Sequence, residues 1–472
     1  MAKYIGLSIG PIVRTIQAAK KIREIWAASY VFSYIMKQVI KEFKERADDI
    51  LLPYIDNDIF EQKRVGIFPD RFIFKSREGD FEKLEQLSKD IIDELAKKYD
   101  EKLIDKFRKY FQIYFIEKEL TLDKKSEIIT EMSSLLDAVE YRQQFLRDAK
   151  ENIASILAPA NTKSFLRKEG GYKERFPCIL EVAAKDLADD FSGFKEKSEQ
   201  DLEDEDILKV IESEKNIKKA HKYIAIVYYD GDNFSSALKE LDDTREFSKA
   251  IYEFSKKSAK KVEDFGGLMI YASGDDGFFF APVVRNDKNI FDLIQEIKKS
   301  FEENIKKNYP DTSISFGISI SYYKYPMNEA VSESMNLLFN KAKKFKEKNA
   351  VAFKILKHSG HYFEGVYNQA SMEYAKFLEI LKSSDENFLS SLIFKTNTLR
   401  GLLSSIGADK EKIDSVFDNF FNEGVHISSK SQIDKIKEFY KAIMTSDKYN
   451  NFEDKINLFV SSLRFNKFLG EK

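Results

Sequence analysis

Cysteine is nearly absent from this 472-residue chain. Cys178 stands alone, which excludes intramolecular disulfides and any zinc site built from several cysteines, and it fits a reducing compartment. With no histidine beside it in sequence, Cys178 reads as a small buried hydrophobe. Histidine is also scarce: the four residues (His221, His358, His361 and His426) include no His-Asp pair. His358 and His361 share an i, i+3 spacing, but no further Cys or His lies nearby, so a surface or packing role outweighs half of a metal site. No apolar run approaches the length of a membrane span, and Met1-Ala2-Lys3-Tyr4 does not open a signal peptide. A cytoplasmic protein without membrane association is expected. Neither sign of charge dominates, with 77 basic against 79 acidic residues and a net charge of -2. A protein that bound nucleic acid alone through a broad basic face would be more basic, so any RNA contact must use local patches or partner subunits. Periodic repeats and low-complexity segments are missing too.

What is present is core material: 43% hydrophobic residues, including 40 Phe and 23 Tyr, enough for a globular chain of roughly three domains. Residues 3–9 read as a strand, followed by Gly10-Pro11 and a helical pattern to about Lys44. Residues 66–75 read as a second strand, and helical periodicity dominates from about Asp80 to Glu119. This is a first, incomplete α/β unit. Residues 120–220 read as mostly helical and charged, broken at Glu169-Gly170-Gly171-Tyr172. The acidic run Asp201–Asp206 fits a solvated helix start. From Lys222 the pattern becomes strand 223–229, helix 244–264, strands 267–272 and 277–283, helix 288–306, strand 313–322, helix 328–346 and strand 350–357. That β-α-β-β-α-β order is ferredoxin-like. Everything after about Tyr362 reads as helices, including 372–381, 386–406 and 433–444.

The chemistry concentrates in two acidic turns. Residues 271–280, Tyr-Ala-Ser-Gly-Asp-Asp-Gly-Phe-Phe-Phe, read as a hairpin carrying Asp275 and Asp276 at its tip. Upstream, the strand ending at Tyr229 runs into Asp230-Gly231-Asp232. A carboxylate at one strand end, facing two on a neighbouring hairpin, suits a hard divalent cation such as Mg2+ or Mn2+, which requires several anionic oxygens converging on one point. Asp230, Asp275 and Asp276 are therefore the candidate metal ligands and catalytic residues. The backbone of Gly231 and Asp232, with Ser273 and Gly274, is placed to approach phosphates. An ordinary acidic turn, or a palm kept only as scaffold, is the competing reading.

Further landmarks carry a resemblance. Ser8-Ile9-Gly10-Pro11 followed by Arg23-Glu24-Ile25-Trp26-Ala27-Ala28-Ser29-Tyr30, then Phe68-Pro69-Asp70-Arg71-Phe72, Arg175-Phe176-Pro177-Cys178, Asp230-Gly231-Asp232-Asn233, Ser273-Gly274-Asp275-Asp276, Tyr322-Tyr323-Lys324-Tyr325-Pro326 and Leu356-Lys357-His358-Ser359-Gly360 occur in one order. Together they resemble the polymerase/cyclase large subunit of type III CRISPR effector complexes, in its III-B (Cmr) branch. The resemblance implies an α+β protein: a first palm-like domain (1–120), a helical insert without a zinc site (121–220), a catalytic palm with the Ser-Gly-Asp-Asp hairpin (221–361) and a helical assembly domain (362–472), both palms being ferredoxin-like. It implies a nucleotidyltransferase that uses ATP when its complex binds target RNA, with CRISPR RNA and other Cmr-type subunits as partners. The product is either an S-adenosylmethionine–AMP adduct, slightly favoured, or cyclic oligoadenylate; the alternative is an inactive palm anchoring guide RNA and small subunits.

The same resemblance places Ser8, Gly10, Pro11, Trp26, Ser29 and Tyr30 on a wall facing the metal site, where they hold the second substrate. Trp26 and Tyr30, four apart on one helix face, fit plain packing equally well. Three departures from the family stand out. The histidine-aspartate nuclease domain is expected to be missing, so DNA cleavage by this chain is not expected. The cysteine-rich zinc site is absent. Asp70 stands where the family has Asn. A carboxylate beside a triphosphate is repelled unless it meets a cation, such as the amino group or sulfonium of S-adenosylmethionine. An exposed loop aspartate beside Arg71 is the competing account.

Overall fold

A computed structural model describes residues 1–141, 153–159, 164–172, 176–187, 203–212, 214, 216–241, 243–357, 360–382, 386–420 and 430–472. Arg175, Asp201, His358, Ser359 and His426 lie outside these described residues. The first sheet contains β1 (Ala2–Gly10), β2 (Ile50–Leu52), β3 (Arg71–Lys75) and β4 (Gln112–Leu120), in the spatial order β2-β3-β1-β4 and antiparallel throughout. Helices Ile22–Lys41 and Asp80–Lys97 occupy the two crossovers, giving a complete β-α-β-β-α-β unit. On β1, Ile5, Leu7 and Ile9 join the core containing Ile25 and Val31 of the first helix, while Tyr4 on the other face meets Met132 and Leu136 of helix Lys125–Glu140. The period of two along the strand makes this division.

Two expectations change here. Residues 112–120, expected within a helical stretch, form a full-length partner for β1, from Ala2↔Leu120 to Gly10↔Gln112. The segment ends Glu-Lys-Glu-Leu, which local pattern reads as helix; its Ile-Tyr-Phe-Ile centre favours the pleated surface, and nine paired residues outweigh the local preference. The unit is thereby complete. Of residues 66–75, only Arg71–Lys75 is strand. The preceding turn instead docks on the second sheet, with Gly66 bridging to Tyr271.

The second sheet has six strands in the order β12-β11-β10-β5-β7-β6. They are β5 (Tyr223–Asp232), β6 (Leu268–Ser273), β7 (Asp276–Pro282), β10 (Ser313–Tyr322), β11 (Ala350–Leu356) and β12 (Tyr362–Asn368); β8 (Val284–Arg285) and β9 (Lys288–Asn289) form a separate small hairpin. Only β10 and β11 run parallel. With helices Arg245–Asp264 and Ile290–Phe301, strands β5, β6, β7 and β10 repeat the ferredoxin-like topology. β12 corrects the reading of everything after Tyr362 as helical. Its pairing with β11 makes the start of the C-terminal region part of the sheet.

The C-terminal helices also pack inward. Phe388, Leu389, Leu392 and Leu403 are buried in the same core as Phe353 of β11 and Phe459 of helix Phe452–Gly470. Ile393 and Leu399 pack partly against it, while Leu402 and Phe394 remain exposed. Among the described residues, no helix is long and apolar enough to cross a membrane.

Candidate functional site

β5 ends and the β6–β7 hairpin turns at the same edge of the second sheet. Register Tyr229↔Gly277 brings Asp230 level with Asp276, and Ser273↔Asp276 closes the hairpin over Gly274 and Asp275. Gly274 has φ of 63°, the left-handed value that a two-residue hairpin loop draws from glycine. Gly231 is required by proximity, since a Cβ there would lie 2.4 Å from the Phe234 ring and 2.8 Å from the Asp275 Cβ. The Gly231 amide instead donates to the Asp275 carbonyl at 3.2 Å, tying strand end to hairpin tip.

Asp230, Asp275 and Asp276 each offer a carboxylate oxygen within 4.8 Å of the others, so the three predicted ligands do converge. The crowding has an electrostatic signature. Desolvation, with Asp276 adjacent, lifts Asp275 to about 7; Asp276 keeps an exposed face at the hairpin tip, where the protein packed behind it and the Asp70 charge lift it to about 7. Carboxylates gathered this closely stay ionised together only when a cation joins them. The donor set is therefore right for a hard divalent ion held by oxygen ligands.

The structure places Asp232 differently from its neighbour. It is fully buried, and its Oδ2 accepts from Ser313 Oγ (2.7 Å), Ser315 Oγ (2.8 Å) and the Asn349 amide (3.0 Å). Its side chain braces the end of β5 from beneath rather than presenting a ligand. Sequence reasoning missed Lys343. Its Nζ pairs with Asp230, donates to the Gly231 carbonyl at 2.6 Å and lies 3.7 Å from Asp232 Oδ1. Burial, with Lys348 nearby, lowers Lys343 to about 8. In sequence it sits within Lys341-Ala-Lys-Lys-Phe-Lys, which looks like any solvated helix face. The signal for the bracing network was better: Ser313, Ser315, Ser319 and Ser321 alternate along an otherwise apolar strand buried on both faces.

The first palm meets this site through the turn before β3. The Ala272 amide donates to the Gly66 carbonyl at 3.1 Å, and Ser273 Oγ donates to the Ile67 carbonyl at 3.1 Å. Ser273 thus ties the hairpin to the first palm. Asp70 follows in the same turn. Its carbonyl accepts from the Ile9 amide at 3.1 Å, setting it beside Gly10 and the cis Gly10-Pro11 bond. Asp70 is an exposed residue of this turn beside Arg71, as the competing account expects; the protein packed around it still raises its carboxyl, against the pull of Arg71. Asp70, Gly10 and the hairpin aspartates are therefore brought together.

Other first-palm candidates are not free to meet a substrate. Ser8 Oγ donates to Glu140 at 2.6 Å, and Arg71 holds Glu140 and Asp137. Ser29 is buried under the Gly66 turn. Trp26 is fully buried, donates to the Arg64 carbonyl at 2.6 Å and stacks on Tyr30 at 4.7 Å. Packing accounts for both aromatics. His221, also buried, is held by Asp186 at 3.0 Å and by the Lys218 amide.

Two ferredoxin-like units joined at a carboxylate-bearing hairpin define a double-palm protein. Residues 223–352 match the family described as Cas10/Cmr2, second palm domain, and residues 4–109 match CRISPR-associated protein Cmr2, N-terminal; together they span half of the chain. The chain belongs to the Cas10/Cmr2 family. The CRISPR system Cmr subunit Cmr2 of Pyrococcus furiosus is 28% identical in an alignment of 201 residues that covers 36% of this chain and 23% of that protein. Among solved structures, the apo type III-B Cmr-beta chain aligns with a TM-score of 0.60 and 12% identity over 100% of this chain and 82% of that one. A Csm1-Csm4 cassette in complex with cA4 aligns at 0.56 and 11%, over 99% and 70% respectively. Another, in complex with one ATP, aligns at 0.54 and 12%, over 100% and 70%. At these identities the structural likeness carries the fold.

Proposed function

We propose that this chain is the nucleotidyltransferase subunit of an RNA-guided type III-B CRISPR antiviral complex, making a signalling nucleotide from ATP when target RNA binds. The observation that carries the reading is the convergence of Asp230, Asp275 and Asp276 within 4.8 Å at a hairpin tip facing a second palm. Asp230, Asp275 and Asp276 would hold Mg2+ or Mn2+, and the bound ion would neutralise triphosphate charge as phosphoryl transfer proceeds. Lys343, already at Asp230, is a protein cation available to that triphosphate. The backbone at Gly274, with nothing within 4 Å of where a Cβ would stand, leaves room for phosphate, and Asp232 keeps the strand end rigid. Other Cmr-type subunits, CRISPR RNA and target RNA are the proposed partners, in the cytoplasm.

Asp70 is the feature that bears on the product. Its carboxylate, exposed and near enough to raise the Asp276 carboxyl, suits an acceptor that brings its own positive charge. This favours joining AMP to S-adenosylmethionine over making cyclic oligoadenylate. The pairing of Lys343 with Asp230 also supports a second reading, an inactive palm serving assembly, because a resident cation already neutralises the first carboxylate. Mass spectrometry of the assembled, target-bound complex given ATP, with and without S-adenosylmethionine, separates the three. An adduct mass appearing only with S-adenosylmethionine supports the favoured product, oligoadenylate masses support the other, and no ATP-derived product supports the scaffold.

A further inference from the structure

A cavity among the described residues lies away from the hairpin aspartates. It has a volume of about 490 Å³ and sits between β12, helix Phe452–Gly470 and the segment that follows helix Met327–Asn336. That size suits a small organic ligand. Lys341, Arg400, Lys448 and Arg464 converge on it, against two carboxylates, Glu364 and Asp454. Lys341 is matched by Glu364, Arg400 by Glu453 at 2.7 Å and Lys448 by Glu347 at 2.7 Å. Arg464 is exposed and has no ion-pair partner among the described residues. Past the mouth, Lys219, Arg464 and Lys467 add to the burial that lowers Lys357, with Glu471 opposing them. One wall is aromatic, with the Phe345 and Tyr449 rings 5.7 Å apart, and Asn457 supplies an amide. Cations for phosphate, rings for a base and an amide for its edge are the elements of nucleotide recognition.

The cavity is also wired to the carboxylates. Lys341 and Phe345 line it, while Lys343 between them reaches Asp230. The chain then passes through three consecutive non-glycine residues with positive φ, Glu347 (69°), Lys348 (51°) and Asn349 (44°). This unfavourable conformation is held from both sides. Lys448 of the C-terminal region grips Glu347, and the Asn349 amide donates to Asp232 at 3.0 Å.

We infer that this cavity binds a nucleoside phosphate, and that its occupancy is transmitted through residues 343–349 to the lysine at the catalytic carboxylates. The binding does not depend on the nucleotidyltransferase reading; the consequence for catalysis does.

The test uses the full chain in EDTA, so that no metal assists binding at the aspartates. AMP, adenosine and a short 5′-phosphorylated oligoadenylate are titrated calorimetrically against wild type, Arg464→Glu and Asn457→Trp, both substitutions being at exposed positions. AMP is expected to bind wild type at least tenfold more tightly than adenosine does. Arg464→Glu should weaken AMP at least tenfold, and Asn457→Trp, which fills the mouth, should abolish its binding. A tenfold preference for the oligonucleotide over AMP would identify an RNA end as the natural source; equal or weaker binding would identify a free nucleotide. No binding at millimolar AMP, or equal affinity in all three proteins, would overturn the site. Hydrogen exchange at 343–349 should change when AMP is added to wild type and stay constant in Asn457→Trp. A change confined to the cavity walls would overturn the transmission. If AMP binds and 343–349 responds while the assembled complex makes no product, the catalytic reading fails and this one stands.

Discussion

Replacing Lys343 by methionine separates two roles that one side chain holds in this structure. Lys343 and Asp230 are mostly withdrawn from water, with side-chain exposures of 18% and 17%, and Asp232 is fully buried. The methionine keeps the aliphatic stem but leaves two carboxylates and the Gly231 carbonyl without their shared cation. Losing one hydrogen bond to a charged group costs about 1.5–3 kcal/mol, or roughly a 10- to 150-fold loss in folding equilibrium. In metal-free buffer, Lys343→Met should therefore lower the urea midpoint followed by circular dichroism. The same change removes a cation that competes for Asp230, so Mn2+ affinity measured by calorimetry should rise at least severalfold, and Mn2+ should restore the lost stability. A variant as stable as wild type, with unchanged Mn2+ affinity, would show that Lys343 is a solvated surface lysine with no part in holding Asp230.

The hairpin pair makes metal-free stability depend on pH in a defined direction. Asp275 and Asp276 are raised from 3.8 to about 7, so between those values the folded chain holds protons that the unfolded chain releases, and stability falls as pH rises through this window. Melting temperature in EDTA should drop more between pH 5 and pH 7.5 for wild type than for Asp275→Asn with Asp276→Asn, and equal drops would contradict the assigned cause. Asp70→Asn should reduce use of S-adenosylmethionine as acceptor roughly ten- to hundredfold through loss of a charge-assisted contact, with ATP binding little changed; unchanged adduct formation in the assembled complex would remove Asp70 from the site. Truncation at about residue 362 should abolish folding of the second palm rather than only assembly, because it strips β12 from β11 and leaves an apolar sheet edge open; a soluble truncated chain with native circular dichroism would contradict this.

Strand order in the second palm was legible because its apolar runs are long and its turns carry Gly and Asp, so Asp230, Asp275 and Asp276 fell at strand ends that had to meet. β4 was not legible, since its charged end satisfies helical and strand periods alike and only pairing with β1 decides between them. Likewise β12 is a short alternating run whose strand state depends on the edge that β11 offers. Asp230 and Asp232 stand two residues apart in one acidic turn, Asp230 read as a metal ligand and Asp232 as backbone near phosphate, and nothing local shows that the Asp232 side chain is a buried brace. Ser313 and Ser315, more than 80 residues away, turn one of them into a buried brace. Lys343 lay in a run of lysines, and no local pattern separates the one that folds inward. The family landmarks at Ser8, Trp26 and Ser29 were recognised, but their tertiary partners assign them to packing and bracing.

In the proposed function, the hairpin carboxylates hold the metal that supports nucleotide synthesis. The most direct measurement compares turnover of α-phosphate-labelled ATP by target-bound complexes containing wild type or Asp275→Ala with Asp276→Ala, after confirming equal subunit composition and RNA binding. The account predicts labelled product from wild type and none above background from the variant. Product formed at the wild-type rate by the variant would contradict it.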